Sequence, residues 1–196
     1  MIRQRVLSPA DYRRMPWKNG AGRTTELASF PAGAVLDAFD WRVSIADVDR
    51  DGPFSTFPGI DRTIVLLAGA GMRLGGGGRA VTLRAPYEPH AFSGDDAIEC
   101  TLIDGPVRDF NLMVRRGRAT GEVAIVRGGA ARIAPARFRL CYAASGECKC
   151  ALPGHPPQVI AADHALLVED ESASRAVLGV KPLTAQAVAV VVSVTA

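Results

Sequence analysis

One short segment near the start of the chain, Met15–Glu26, combines residue types that small-molecule sites use. Trp17, Lys18 and Asn19 stand directly before a Gly-Ala-Gly turn, and two threonines and a glutamate follow it. An aromatic surface, a cation and several hydrogen-bonding groups around a turn favour a site for a small polar ligand. The alternative is a structural loop in which the Asn-Gly turn folds back and Trp17 covers the core.

Three later segments also concentrate polar or aromatic groups between strand-like runs. The segment 52–62 holds two phenylalanines and two prolines and ends in Asp61 and Arg62. The guanidinium of Arg62 has the fork geometry that recognises a carboxylate. The segment 90–96 is a turn rich in polar groups between strands, and the segment 105–113 is a further cluster that contains Asp109 and Asn111. Together the segments indicate several candidate binding loops.

Metal-ligating and nucleophilic patterns are weak. His90, His155 and His164 have no metal-ligand spacing, so we predict no bound metal. Cys148 and Cys150 share one face of a strand but lack a fourth ligand, and we predict free thiols whose role stays open. The sequence holds neither a Gly-x-Ser-x-Gly elbow nor a cysteine beside a histidine. We therefore predict no catalytic residue and no cofactor.

The elements that position these groups are predicted to be β-strands. The chain has 20 glycines and 13 prolines, and short strand-like runs recur every 8–12 residues, which is typical of a sandwich or barrel. In the run 39–46, Val43 and Ile45 alternate with Arg42 and Ser44. Because alternate side chains point to opposite faces, an inward Arg42 requires an inward Ser44, and the two then line a polar cavity.

Individual elements follow from local signals. Ser8-Pro9-Ala10-Asp11 predicts one helical turn, closed by Pro16. The glycines 75–78 predict a hairpin loop. The predicted strands are 24–30, 39–46, 62–68, 79–84, 97–104, 109–115, 122–126, 130–134, 138–143, 147–152, 164–168, 174–180 and 188–195. A weak repetition between residues 69–86 and 145–168 predicts two lobes joined near residues 115–121.

Composition excludes several classes of protein. The 196 residues carry 23 basic and 20 acidic side chains, and a net charge of +3 does not indicate a nucleic-acid partner. No apolar run reaches membrane-spanning length, and the charged first residues lack the apolar segment of a signal peptide. Four unevenly spaced cysteines do not make a disulfide framework. We therefore predict a cytoplasmic protein with no membrane partner.

Five ordered motifs resemble the HutD/Ves family. They are Pro16–Gly20, Trp41–Ala46, Gly52–Arg62, Phe92–Asp95 and Gly105–Met113. The resemblance covers roughly residues 12–116. From about residue 120 onward the second lobe is predicted mainly from its own strand pattern.

The resemblance implies an all-β, cupin-like double-stranded β-helix with two barrel lobes in one chain, a bicupin. We place the lobes at residues 1–118 and 119–196, tightly associated. Because the family is associated with control of histidine utilisation, the resemblance implies a non-enzymatic metabolite-binding regulator. The positions that match its motifs, and that we predict to bind the ligand, are Trp17, Lys18, Asn19, Arg42, Ser44, Arg62, Phe92, Ser93, Asp109 and Asn111.

The expected ligand is a small carboxylate, held in the first lobe or between the lobes. Urocanate and formyl- or formimino-glutamate both fit this description. We expect Trp17, Asn19, Arg42, Ser44, Arg62 and Phe92 to converge on one pocket, with Arg62 contacting the carboxylate. The alternatives are a cupin-type enzyme acting on a small carboxylate metabolite and an interaction module that needs no ligand. The sequence leaves open whether the protein forms a homodimer.

Overall fold

A computed structural model describes residues 1–36, 38–76, 78–172 and 174–196. Throughout these ranges the regular structure is β, in nineteen strands without a helix, so the predicted all-β class is confirmed. It follows that no helix in these ranges is long and apolar enough to cross a membrane. The predicted helical turn is wrong. Residues 8–11 form a single hydrogen-bonded turn, in which the Asp11 carboxylate accepts the Ser8 amide proton at 2.8 Å.

The chain divides into two compact units. One consists of Tyr12–Ala119, and the other combines Met1–Asp11 with Thr120–Ala196. The N-terminal strand β1 (Ile2–Leu7) causes the difference from the predicted boundaries, because it pairs antiparallel with β17 (Ala165–Asp170). The first eleven residues therefore fold with the C-terminal unit.

The unit Tyr12–Ala119 contains two antiparallel sheets. The six-stranded sheet has the order β2-β3-β4-β11-β6-β9, and the four-stranded sheet has the order β5-β10-β7-β8. The strands are β2 (Arg13–Pro16), β3 (Gly22–Phe30), β4 (Trp41–Val48), β5 (Gly52–Pro53), β6 (Ile60–Ala68), β7 (Met72–Gly76), β8 (Arg79–Leu83), β9 (Pro89–Ser93), β10 (Glu99–Leu102) and β11 (Val107–Arg115). Each sheet ends at edge strands in the described ranges, so the unit is built from two open sheets.

The other unit also contains two antiparallel sheets. Their orders are β1-β17-β14-β19-β12 and β13-β18-β15-β16. Its remaining strands are β12 (Thr120–Arg127), β13 (Ala131–Ile133), β14 (Phe138–Ser145), β15 (Cys148–Ala151), β16 (Gln158–Ile160), β18 (Leu178–Pro182) and β19 (Val188–Thr195).

Each unit has its own apolar core. In the unit Tyr12–Ala119, Ile64 and Leu66 of the larger sheet pack with Met72 and Leu74 of the smaller one. In the other unit, valines and leucines of both sheets surround three buried cysteines: Cys141, Cys148 and Cys150. Burying this apolar surface supplies the main driving force for folding.

The predicted strands largely coincide with the observed ones, and 188–195 matches β19. Strands β1, β2, β5, β7, β9 and β16 have no counterpart in the prediction. The glycines 75–78 lie where β7 turns into β8, as expected of a hairpin. Gly77 itself lies outside the described residues.

Candidate functional site

A row of side chains crosses the six-stranded sheet and carries Arg42 and Arg62, which are both buried. Met113 on β11 stands between Arg42 on β4 and Arg62 on β6. Phe92 on β9 is the next neighbour of Arg62. In the adjacent row of the same face, Asn111 lies opposite Ser44. The inward face of the sheet therefore has a polar band at this end.

The polar band borders an apolar interior. On β4, Arg42 and Ser44 precede Ala46 and Val48, which belong to the core. On β6, Arg62 likewise precedes core residues. Val43 and Ile45, on the opposite face of β4, are buried outside the cavity. This placement agrees with the alternation in the sequence.

A small inner cavity opens at the polar band. Its volume is about 80 Å³, and its lining residues are Trp17, Thr24, Arg42, Ser44, Ala46, Phe54, Ser55, Phe57, Arg62, Asn111 and Met113. An outer cleft of about 450 Å³ shares several of these residues and adds Lys18 and Asn19 at its rim. The two spaces therefore adjoin along a common wall.

Arg62 is the most constrained cation in the inner cavity. Its guanidinium carbon lies 4.7 Å from the ring centre of Phe92 and 5.5 Å from those of Phe54 and Phe57. Nη2 donates to the Asn111 side chain at 3.1 Å, whereas Nε has no partner among the described residues. Burial lowers the pKa of Arg62 to about 10, which leaves it cationic at neutral pH. A positioned cation with a spare donor is suited to hold an anion.

Asp109 interacts electrostatically with this arginine and, although predicted to bind the ligand, is not among the residues that line the cavity. It is fully buried, and one of its oxygens accepts a hydrogen bond from Asn111. Burial raises the pKa of Asp109 to about 7, opposed by the positive charge of Arg62. Asn111 therefore joins a cation on the cavity wall to a buried carboxyl group.

Arg42 is already neutralised by a carboxylate. Its Nε lies 2.6 Å from Glu26 on β3, and both side chains are buried. Glu26 ends the segment Met15–Glu26 but was not among the predicted ligand-binding residues; its place opposite Ser44 on the neighbouring strand puts it beside this row. Because Arg42 is paired, Arg62 is the better receptor for an anionic ligand.

Trp17 is held by its own loop as well as lining the cavity. Its indole Nε1 donates to the Thr24 hydroxyl at 2.8 Å, and its backbone amide donates to the Gly22 carbonyl. The Asn19 side chain accepts the Ala21 amide proton at 3.0 Å. The segment is thus a structured turn whose indole also forms a cavity wall.

Gly22 lets Trp17 approach the sheet, so we expect Gly22→Ala to disturb this wall. The added Cβ would lie 2.3 Å from the Asp47 carbonyl oxygen and 3.2 Å from two Trp17 ring carbons. We expect a loss of about 1–3 kcal/mol in the free energy of unfolding and a shift in indole emission, measured by urea denaturation and fluorescence. Gly75→Ala is the control because its Cβ meets no atom within 4 Å. Equal effects in both variants would contradict the prediction.

The structure brings together only part of the predicted site. Trp17, Arg42, Ser44, Arg62 and Asn111 line the inner cavity, and Lys18 and Asn19 line the outer cleft. Phe92 and Ser93 instead line a separate cavity of about 310 Å³. Asn19 and Phe92 therefore do not line the inner cavity itself, although Asn19 lines the adjoining cleft. Phe92 reaches the site only through its ring, which lies against Arg62.

The residues that sequence reasoning missed come from the neighbouring loop and strands. Glu26, Phe54, Ser55 and Phe57 had no assigned role, although the two phenylalanines lie in one of the motifs quoted above. The contact of Phe54, Ser55 and Phe57 with Arg62 depends on how the loop that follows β5 folds. The sequence motif predicts a loop at this position but does not predict which side chains the loop contacts.

The polar band does not fit a metal ion. Across the described ranges, no three His, Cys, Asp or Glu side chains are grouped to hold one. The cavity wall instead carries two guanidinium groups, which repel a cation. The ring nitrogens of His155 and His164 lie near backbone carbonyl oxygens of their own turns. The donor set thus favours an anion over a metal.

Comparisons with known proteins connect this chain to one family. A family model described as HutD matches residues 9–185. An uncharacterized 21.2 kDa protein from the hutC 3′ region of Pseudomonas putida is 39% identical over 158 residues, covering 81% of this chain and 83% of that protein. Protein Ves of Citrobacter koseri is 40% identical over 119 residues, covering 59% of this chain and 61% of that protein.

Solved structures agree. A conserved protein of unknown function from Pseudomonas aeruginosa PAO1 is 36% identical with a TM-score of 0.90, covering 99% of this chain and 100% of that chain. HutD from Pseudomonas fluorescens SBW25, solved in a formate condition, is 34% identical with a TM-score of 0.83, covering 98% of each chain. Oxalate decarboxylase of Lactobacillus farciminis, at 7% identity, has a TM-score of 0.65 over 96% of this chain and 85% of that chain, which shows a cupin-like fold alone.

Proposed function

Because the chain belongs to the HutD family, we propose that it is a non-enzymatic, cytoplasmic protein that binds a small carboxylate metabolite and thereby regulates histidine utilisation. In this proposal each unit is one cupin-like barrel, so the chain is a bicupin. The metabolite is urocanate or formyl- or formimino-glutamate, and its carboxylate contacts Arg62. The name of the Pseudomonas putida relative, from the hutC 3′ region, supports the link to this pathway.

The observation that carries the proposal is the position of Arg62. It lines the inner cavity, three phenyl rings surround it, and its Nε has no partner among the described residues. Nη1 makes only a long contact of 3.4 Å to the Ser55 carbonyl. A carboxylate that enters the cavity would therefore meet donors that are fixed in place and poorly occupied.

The remaining walls suit the rest of such a ligand. Ser44 and Asn111 add neutral hydrogen-bonding groups beside the guanidinium. Trp17 offers a flat apolar surface shared by the inner cavity and the outer cleft. Lys18 and Asn19 stand at the rim. The carboxylate would occupy the inner cavity, and the planar or aliphatic part of the ligand would occupy the cleft.

Calorimetry with urocanate and with N-formyl-glutamate tests the proposal. We expect wild-type protein to bind one of them and Arg62→Ala to bind it about 10- to 150-fold more weakly, since a charge-assisted hydrogen bond is lost. Arg23→Ala, which removes an exposed arginine of the same unit, is the matched control. The amide of each ligand should bind as weakly as the acid binds to Arg62→Ala.

Two results would count against the proposal. Equal affinity in wild type and Arg62→Ala would remove Arg62 as the anchor. A wild-type protein that binds neither ligand, or that converts one into a product, would leave the sensor function without support.

A further inference from the structure

The separate cavity of about 310 Å³ lies between two edge strands of the unit Tyr12–Ala119. One wall comes from β8, which ends the four-stranded sheet, and another comes from β9, which ends the six-stranded sheet. Because the two strands belong to different sheets, no hydrogen-bonded ladder joins them and closes the space. Its volume is at the lower end of the range of about 300–1,000 Å³ that small-molecule sites occupy. The space is therefore large enough for a small ligand.

The other unit shows that the fold does not require this cavity. The strand order β4-β11-β6-β9 recurs there as β12-β19-β14-β17, so β17 corresponds to β9. The inward side chains of β17, Leu166 and Val168, are buried in the core of their unit. The inward side chains of β9, His90 and Phe92, are only half-buried and line the cavity. Two rings and an open space thus stand where the other unit packs aliphatic side chains.

Most of the cavity wall is apolar or aromatic. The rings of His90 and Phe92 are nearly parallel, with 17° between their planes and 6.3 Å between their centres. The face of an aromatic ring attracts a cation, as the contact of Phe92 with Arg62 shows. The aliphatic wall consists of Leu74, Val81 and Ile98. These walls suit a ligand that combines a hydrocarbon body with a positive charge.

Asp96 gives one side of the cavity a negative charge. Its backbone amide donates to the Ser93 carbonyl and so belongs to the turn, but its carboxylate makes no hydrogen bond or ion pair with a described side chain. The preceding residue differs, because Asp95 pairs with Arg116 and accepts the Gly59 amide proton. The carboxylate of Asp96 is therefore available to a ligand in the cavity.

We propose that this cavity binds a small organic cation, namely a protonated amine with one ring or a short hydrocarbon chain. The ammonium group lies beside Asp96, because opposite charges form strong hydrogen bonds. The hydrocarbon body lies against Val81 and the ring of Phe92. The charge preference is opposite to that of the cavity that Arg62 lines, and the site does not depend on the carboxylate ligand proposed above.

Benzylamine is the probe, and amide ¹⁵N–¹H spectra of the intact protein at pH 7 follow its binding. We expect the signals of Val81, Ala91 and Asp96 to shift and to saturate as benzylamine is added. Benzyl alcohol has a similar shape without the charge. It should bind about three- to tenfold more weakly, since it makes no ion pair with Asp96.

Three variants assign the effect to the cavity. Asp96→Asn should lower the affinity for benzylamine to that for benzyl alcohol and leave the alcohol unchanged. Glu99→Gln is the matched control, because it removes an exposed carboxylate of β10 that does not line the cavity, and it should keep the preference for the amine. Val81→Phe fills the space and should remove binding of both compounds. If Val81→Phe fails to fold, Asp96→Asn and Glu99→Gln still decide the question.

Several outcomes would overturn the proposal. They are cavity signals that do not saturate, equal affinity of wild-type protein for benzylamine and benzyl alcohol, and an unchanged preference for the amine in Asp96→Asn. Displacement of benzylamine by N-formyl-glutamate, which is directed to Arg62, would also reject the site. A protein that binds benzylamine but neither carboxylate would retain this site and count only against the proposed function.

Discussion

Glu26→Ala is expected to destabilise the unit Tyr12–Ala119 by about 3–5 kcal/mol, because it leaves the Arg42 guanidinium buried without a counter-charge. The two groups are 2.6 Å apart, and their side chains are only 4% and 9% exposed. Ser29, the other neighbour of Glu26, makes a long contact of 3.4 Å and offers no replacement charge. Urea denaturation at neutral pH measures the loss.

An exposed ion pair on the same strands provides the matched control. Arg23 and Asp47 are 2.8 Å apart, but the arginine side chain is 64% exposed. Solvent screens this pair, so Arg23→Ala should cost far less than Glu26→Ala. Equal losses in Arg23→Ala and Glu26→Ala would show that the buried pair has no special energetic role.

A double variant separates the lost pair from the stranded charge. Arg42→Met together with Glu26→Ala removes both charges, so its loss should be smaller than the sum of the single losses. If the losses simply add, Arg42 and Glu26 do not interact. The same variants tested for ligand affinity would show whether Glu26 acts by keeping Arg42 from competing with Arg62.

The fold class could be predicted from the sequence because strand signals are local. Alternating residues such as Val43 and Ile45, with glycine and proline between runs, define a strand without knowledge of its partner. The attachment of Ile2–Leu7 to β17 is a different kind of fact. It depends on a pairing across more than 150 residues, for which a short, charged N-terminal run holds no signal.

The site was predictable in its residues and less so in its geometry. Alternation places Arg42 and Ser44 on one face, and the motifs supply Arg62 and Asn111. The strand sequence does not reveal that Glu26 neutralises Arg42, because that contact depends on the register between β3 and β4. It also does not reveal that Asp109 is fully buried, because its burial depends on how the folded sheets pack.

Asp109 is expected to make the stability of its unit fall as pH rises from about 4 to about 7. Burial raises its pKa in the folded state from 3.8 to about 7, so the folded protein holds this proton more tightly than the unfolded chain. The stabilising contribution is therefore complete below about pH 4 and is lost as pH rises through about 7. Over this range the folding equilibrium should weaken by up to about tenfold per pH unit.

Asp109→Asn isolates this contribution, because an amide has similar shape and no titration. The difference in unfolding free energy, wild type minus variant, should decrease by a few kcal/mol between pH 4 and pH 7. Other groups that face Asp109, including Arg62 and Asp47, are present in both proteins and cancel in the difference. A difference that does not change with pH would contradict the prediction.

Asp95 supplies a control of opposite sign in the same unit. Hydrogen bonds from the Gly59 amide, Arg116 and Ser93 lower the pKa of Asp95, so its contribution is lost only as pH falls below the ordinary range of an aspartate. Asp95→Asn should thus leave the decline between pH 4 and pH 7 intact.

Since Asn111 joins Asp109 to Arg62, an anion bound at Arg62 should also shift the midpoint of the Asp109 titration to higher pH. Repeating the titration with saturating ligand would then connect the buried carboxyl group to the site, and an unchanged midpoint would separate them.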